Sequence, residues 1–299
     1  MRKARHCKNA GVVDLYRSAA GEATLRAWCR DRLAHWDVPH EASIIDTALG
    51  PTHLTSAGSG PDVCVYLPGT NFNAATSTGV LAALGASGQV VCADLPGQPG
   101  LSAAGRPRDE VSAYGTWVRE VVAHVRETAG ATRLLLVGHS RGAAVALGAD
   151  AKAVEGLLLL SPAGLAGVRM TPAVVGRSLT WLVRPTHDRT RRLVALMAGA
   201  DDDRGLEHVT EWLTLAARST RTTGAPGPLP SGHLEQWRDR PVALLTGARD
   251  VFFPPSRLAG PARRRLGHGV EQVPGAGHLL ADQRPDLVAD RARDVLTPG

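Results

Sequence analysis

The spacing of apolar and polar positions divides the chain into stretches with a helical period and stretches that are apolar throughout. Leu25, Trp28, Cys29, Leu33 and Trp36 recur at helical intervals between Arg and Asp residues, which predicts an amphipathic helix over 19–36. Two weaker strand-like pieces follow at 43–47 and 52–55. The runs 62–67, 89–93, 133–137 and 156–160 are apolar without interruption, the pattern of strands buried on both faces. Between them, 109–129 places Val111, Tyr114, Trp117 or Val118, Val121 and Val125 on one helical face. Buried strands alternating with helices predict an α/β fold built on a mostly parallel sheet.

The alternation stops between about 164 and 240, then resumes with strand-like runs at 242–246 and 270–273 and a closing helix at 285–296. The interruption holds Trp181, Met197 and Trp212, the acidic run Asp201-Asp202-Asp203 and a Gly/Pro-rich exit over 224–230. It reads as helices inserted after the sixth strand. The predicted organisation is a helical N-terminal extension over 1–40, a core over 41–163 and 241–299, and a helical cap over 164–240. The acidic run reads as a solvated turn, not a metal site.

At 299 residues and 43% apolar, the chain can bury one large core with a small cap. The 33 Gly and 20 Pro suit many tight strand-to-helix turns. The formal charge of +6 is mostly Arg and scattered, with one tight cluster at Arg263-Arg264-Arg265 and no aromatic residues interleaved. That distribution argues against a nucleic-acid partner. Cys7, Cys29, Cys64 and Cys92 have no Cys-x-x-Cys spacing and no histidines at ligand intervals, so no metal is expected. The basic start is not followed by an apolar stretch of signal-peptide length, and no run is long enough to span a membrane. These features predict a cytoplasmic protein with no cofactor, nucleic-acid or membrane partner. Oligomeric state leaves no mark in the sequence.

The candidate chemistry centres on Gly138-His139-Ser140-Arg141-Gly142, which directly follows the strand at 133–137 and opens the small-residue stretch Ala143-Ala144-Val145-Ala146-Leu147. A serine on a sharp strand-to-helix turn exposes its hydroxyl above a sheet, and the crowding there demands glycine two residues away on each side. A serine nucleophile needs a base, and the base needs an orienting carboxylate. Asp250 lies just beyond the strand at 242–246, and His278 sits on a Gly-rich loop after the last strand. Both positions lie beyond carboxyl ends of strands, where active-site loops of open α/β sheets gather. His139 is set aside because its side chain is expected to point away from Ser140. The backbone N–H of Arg141 and one from the loop Pro68-Gly69-Thr70-Asn71, best assigned to Thr70, would form an oxyanion hole. The Asn71 side chain is a further candidate there, and Trp181, Met197 and Trp212 are candidates for an apolar pocket.

Five segments together carry a family resemblance: Leu67-Pro68-Gly69-Thr70, Asp94-Leu-Pro-Gly-Gln-Pro-Gly-Leu-Ser102, Gly138–Gly142, Gly247-Ala-Arg-Asp250 and Pro274-Gly-Ala-Gly-His278. In order and spacing the chain resembles α/β-hydrolases of the esterase and C–C-hydrolase branch, in particular bacterial carboxylesterase-like members. The resemblance implies the α/β-hydrolase fold and a Ser140-Asp250-His278 triad. The expected substrate is an ester, thioester or lactone of a small, largely apolar molecule. Alternatives on the same scaffold are an acyl-transfer or cyclisation enzyme, a C–C hydrolase, or a non-catalytic ligand-binding homologue. Two positions depart from the family pattern: Pro68 and Gln98 stand where His is common.

Overall fold

The computed structural model describes residues 12–199, 205–221 and 224–297. The basic N-terminal start with Cys7, and the run Asp201-Asp202-Asp203, lie outside the described residues. In chain order the elements begin with β1 (Val12–Asp14), α1 (Ala19–Ala34), β2 (His40–Thr47), β3 (Gly50–Gly58), β4 (Asp62–Leu67), α2 (Thr78–Gly85) and β5 (Gln89–Ala93). They continue with β6 (Gly105–Pro107), α3 (Glu110–Thr128), β7 (Arg133–His139), α4 (Arg141–Leu147) and β8 (Gly156–Leu160). The helices α5 (Pro172–Val183), α6 (His187–Ala198), α7 (Glu207–Ser219) and α8 (Ser231–Glu235) follow. The chain closes with β9 (Val242–Gly247), α9 (Pro255–Pro261), β10 (Glu271–Val273), α10 (Leu280–Gln283) and α11 (Pro285–Leu296).

Eight strands form one sheet in the order β10-β9-β8-β7-β4-β5-β3-β2, parallel from β10 to β5 and antiparallel at β3 and β2. This is the mostly parallel α/β sheet that the apolar runs predict. All five residues of β8 and six of the seven in β7 are buried, so their side chains face protein on both sides. One apolar cluster covers one face, joining Leu25 of α1, Val80 of α2, Leu193 of α6, Trp212 of α7 and Val288 of α11. The other cluster joins Val118 of α3, Ala143 of α4, Leu234 of α8 and Leu258 of α9.

Three helices, α5 to α7, stand between β8 and β9 in the chain, after the sixth strand of the large sheet. Two of them start by local rules: Thr171 caps α5 by accepting from Val174 N, with Pro172 in the first turn, and Thr186 caps α6 by accepting from Arg189 N. The helix α8 instead joins the layer under the sheet, and the nearby Trp237 donates its indole N–H to the Leu147 carbonyl of α4 at 3.1 Å. The two weak strand-like pieces near residue 50 become the eight- and nine-residue antiparallel partners β2 and β3. The small β1–β6 sheet and α2 have no counterpart in the sequence expectations. Cys29, Cys64 and Cys92 are buried free thiols, and burial pushes the Cys64 thiol up to about 12.

Candidate active site

Ser140 occupies the single-residue joint between β7 and α4, with φ 51° and ψ −110°. A non-glycine residue in such a conformation costs of order 1–3 kcal/mol and persists only where its surroundings enforce it. Those surroundings are visible: Ser140 N donates to Leu160 O of β8 at 2.9 Å, and the joint is pressed against the end of β4. A Cβ added at Gly142 would lie 1.9 Å from the Leu67 carbonyl oxygen, and one at Gly138 would lie 2.6 Å from the Ala143 backbone. Only glycine fits at either place.

The late loops deliver the other two groups to the same point. His278 Nε2 is 3.1 Å from Ser140 Oγ, and His278 Nδ1 is 2.9 Å from Asp250 Oδ2. Asp250 Oδ1 accepts from the backbone N–H groups of Phe252 and Phe253 at 2.8 and 2.9 Å, which fixes the carboxylate's orientation. Burial opposes its charge, yet attraction and hydrogen bonding to His278 and the Phe253 N–H hold its pKa down at about 2. The His278 loop is anchored in turn to α6, where His278 N donates to Met197 O at 2.6 Å. Gly277 permits this approach, since a Cβ there would sit 2.3 Å from that same carbonyl.

His139, which the sequence sets aside, lines the same cavity as Ser140 and His278. Its Nε2 lies 2.8 Å from the His278 carbonyl, and its ring centroid is 5.4 Å from that of His278. Burial, reinforced by His278, pushes the His139 pKa down to about 4. The ring is therefore neutral near pH 7, and Nε2 carries the proton that it donates to the carbonyl. Phe252 meets the His278 ring edge-on at 4.8 Å.

The loop Gly69–Asn71 faces the joint and is suspended by three side chains from distant parts of the chain. Gln98 Oε1 accepts from Asn71 N at 3.0 Å, Trp212 Nε1 donates to Asn71 O at 2.5 Å, and Arg141 Nε donates to Thr70 Oγ1 at 3.2 Å. Asn71 itself has φ 64°. Among the described residues, neither Thr70 N nor Arg141 N donates to a backbone acceptor in the loops and turns. The Asp94–Ser102 segment that carries Gln98 is also tied in place: Asp94 accepts from Ala74 N and Leu101 N, and Ser102 donates back to Asp94 O.

Above Ser140 lies a cavity of about 480 Å³, within the usual size of a small-molecule site. Its wall includes Thr70, Asn71, Trp181 and Met197 from the sequence candidates, together with His139, Leu213, Phe252 and Phe253. Trp212 is not on that wall. Its ring packs against Trp28 of α1 at 4.8 Å, and its indole N–H serves the Asn71 carbonyl instead. Sequence reasoning missed Gln98, His139 and this task of Trp212. For Gln98 a partial signal existed, because it stands as a departure from the family pattern that the resemblance implies. Among the described residues, no three His, Cys, Asp or Glu gather as a metal site, and no helix is long and apolar enough to cross a membrane.

A serine on a strained strand-to-helix joint, with His and Asp at hydrogen-bonding distance above a mostly parallel sheet, defines the class of α/β-hydrolase-fold enzymes. The chain belongs to the alpha/beta hydrolase family, whose model matches residues 64–291. Its fold is similar to that of carboxylesterase CesB from Bacillus subtilis, with a TM-score of 0.74 and 19% identity over 94% of this chain and 99% of that one. It is equally similar to naproxen esterase from Bacillus subtilis, at TM-score 0.74 and 17% identity over 94% and 100% of the two chains. A 2-hydroxy-6-oxo-6-phenylhexa-2,4-dienoate hydrolase from Rhodococcus sp. follows at TM-score 0.64 and 18% identity, over 86% of this chain and 99% of that one. No curated protein matches the sequence.

Proposed function

We propose that the protein is a serine esterase in which Ser140 attacks the carbonyl of a small, largely apolar ester, thioester or lactone. The observation that carries this reading is the unbroken chain from Ser140 Oγ to His278 to Asp250 at the floor of an apolar cavity. As Oγ attacks, His278 Nε2 takes its proton, and the Asp250 carboxylate stabilises the imidazolium that results. The N–H groups of Thr70 and Arg141 receive the oxyanion, and His278 then protonates the leaving alcohol. Water, deprotonated by His278, releases the acyl group. Each oxyanion donor is worth about 10²–10³ in turnover.

The segment 164–240 acts as a cap that supplies the acyl wall through Trp181, Leu193 and Met197. No Lys, Arg, Asp or Glu lines the cavity among the described residues, which favours an uncharged acyl group. That lining disfavours a C–C hydrolase handling a carboxylate-bearing dienoate, whose anion would need a cationic partner. The test is turnover of a p-nitrophenyl ester series from acetate to decanoate. Activity should fall at least about 10³-fold in Ser140→Ala with the fold intact. Undiminished turnover in that variant overturns the proposal, and mass spectrometry distinguishes hydrolysis, which adds water, from cyclisation, which does not.

A further inference from the structure

We infer that the Arg141 guanidinium is a positioning group, which holds the Thr70 loop in register with the Ser140 joint and ties both to the strap over 224–230. The inference rests on the proposed roles of Ser140 and of the Thr70 and Arg141 N–H groups. Arg141 is only 1% exposed, and a buried cation is costly unless its donors are paired. Here all three nitrogens are used. Nε donates to Thr70 Oγ1 at 3.2 Å, Nη1 to Glu110 Oε2 at 2.5 Å, and Nη2 to the Gly224 carbonyl. The partners come from three separate stretches: the loop after β4, the first residue of α3, and the chain returning from α7.

The strap matters because Ala225, Pro226 and Gly227 wall the catalytic cavity on one side and a second cavity of about 420 Å³ on the other. Its far end is pinned where Leu229 N donates to Gly164 O at 2.8 Å and Arg265 donates to Leu229 O. Between these anchors, no residue of 225–228 takes part in a hydrogen bond among the described residues. At its near end Arg141 holds the Gly224 carbonyl, three residues beyond Arg221, whose N–H donates to Leu15 O at 2.8 Å and whose carbonyl accepts from Arg106 Nη2 at 3.4 Å. A planar fork can serve three acceptors at fixed angles, whereas a lysine ammonium on a flexible stem cannot reproduce that geometry. Without the fork, the Thr70 side chain and the near end of the strap lose their donors together. The loop N–H then drifts from the oxyanion position, and the wall between the two cavities loosens.

The experiment compares Arg141→Lys, Arg141→Ala and Glu110→Gln with the wild type on p-nitrophenyl acetate and octanoate, once Ser140→Ala has shown that turnover needs Ser140. In both Arg141 variants kcat should fall about 10–100-fold on both esters, as expected for a displacement of up to about 1 Å. KM should stay within about threefold on acetate and rise more on octanoate, because the strap bounds the acyl cavity. Added ethylguanidinium should restore Arg141→Ala at least about fivefold while ethylammonium does not, since only the planar fork matches the three acceptors. In Glu110→Gln kcat should fall about three- to tenfold through loss of the half-buried counter-charge to the buried guanidinium. A kcat within twofold of wild type in Arg141→Lys, or a loss in Arg141→Ala that ethylguanidinium leaves unchanged, overturns the inference. If neither Arg141 variant folds, an unchanged kcat in Glu110→Gln overturns it. Turnover that survives Ser140→Ala instead removes the reading of Ser140, a separate outcome.

Discussion

Replacing Gly142 by Ala adds one methyl group at the tightest contact in the site. The new Cβ would start 1.9 Å from Leu67 O, 2.5 Å from Leu67 C and 2.8 Å from Pro68 O, all backbone atoms. Side-chain Cβ atoms do not approach within 3.0 Å, so α4 and the end of β4 must separate by about 1.1 Å. No flexible side chain can absorb that shift. Leu67 leads directly into the Gly69–Asn71 loop, so the displacement changes the distance between the Arg141 and Thr70 N–H groups. A misplacement near 1 Å costs roughly 10²-fold in rate, and full loss of one oxyanion donor costs up to about 10³-fold. Overpacking of this kind also costs about 1–3 kcal/mol of stability. The assay is kcat/KM on p-nitrophenyl butyrate beside a thermal melt, with Gly79→Ala as control. A Cβ at Gly79 meets nothing within 4 Å, and Ala in place of Gly inside α2 should raise stability slightly. Wild-type activity in Gly142→Ala would refute the claim that the joint and the loop are braced against one another.

Three further outcomes follow from other parts of the site. Trp212→Phe removes the donor to Asn71 O and should lower kcat about three- to tenfold with little change in KM, consistent with about 1–2 kcal/mol for an orphaned buried acceptor. Trp181→Ala opens the acyl wall; the optimum acyl length should move upward across the ester series, at a stability cost of about 3 kcal/mol. His139, with its pKa lowered from 6.5 to about 4, is neutral in the folded protein where the unfolded chain would be protonated. Its contribution is complete above pH 6.5 and is lost as pH falls towards 4, about 3 kcal/mol in all. Urea melts between pH 7.5 and 4 should show that loss, and His139→Gln should flatten it. Asp250, held down at about 2, adds a second loss only below pH 4.

How much of this was legible beforehand differs by element. Strands such as β7 and β8 announce themselves because burial on both faces makes them continuously apolar. By contrast β1 and β6 are three residues each and pair across some ninety positions, too short for any period to register. The same division holds in the site. Ser140, Asp250 and His278 could be nominated because each sits in a distinctive turn after a strand, and the structure brings their side chains together. The apolar character of Trp212 points to the pocket, while its place is decided by the indole N–H and a carbonyl 141 residues away. The contacts of Gln98 and Arg141 are likewise between segments distant in sequence, and no local pattern encodes them.

The most direct test of the central claim is intact-mass measurement after treatment with a fluorophosphonate, followed by peptide mapping. One adduct, on Ser140, is expected to form quickly in the wild type, to be absent in Ser140→Ala and to be slowed by orders of magnitude in His278→Ala. An unlabelled wild-type protein, or an adduct that persists in Ser140→Ala, would contradict the claim.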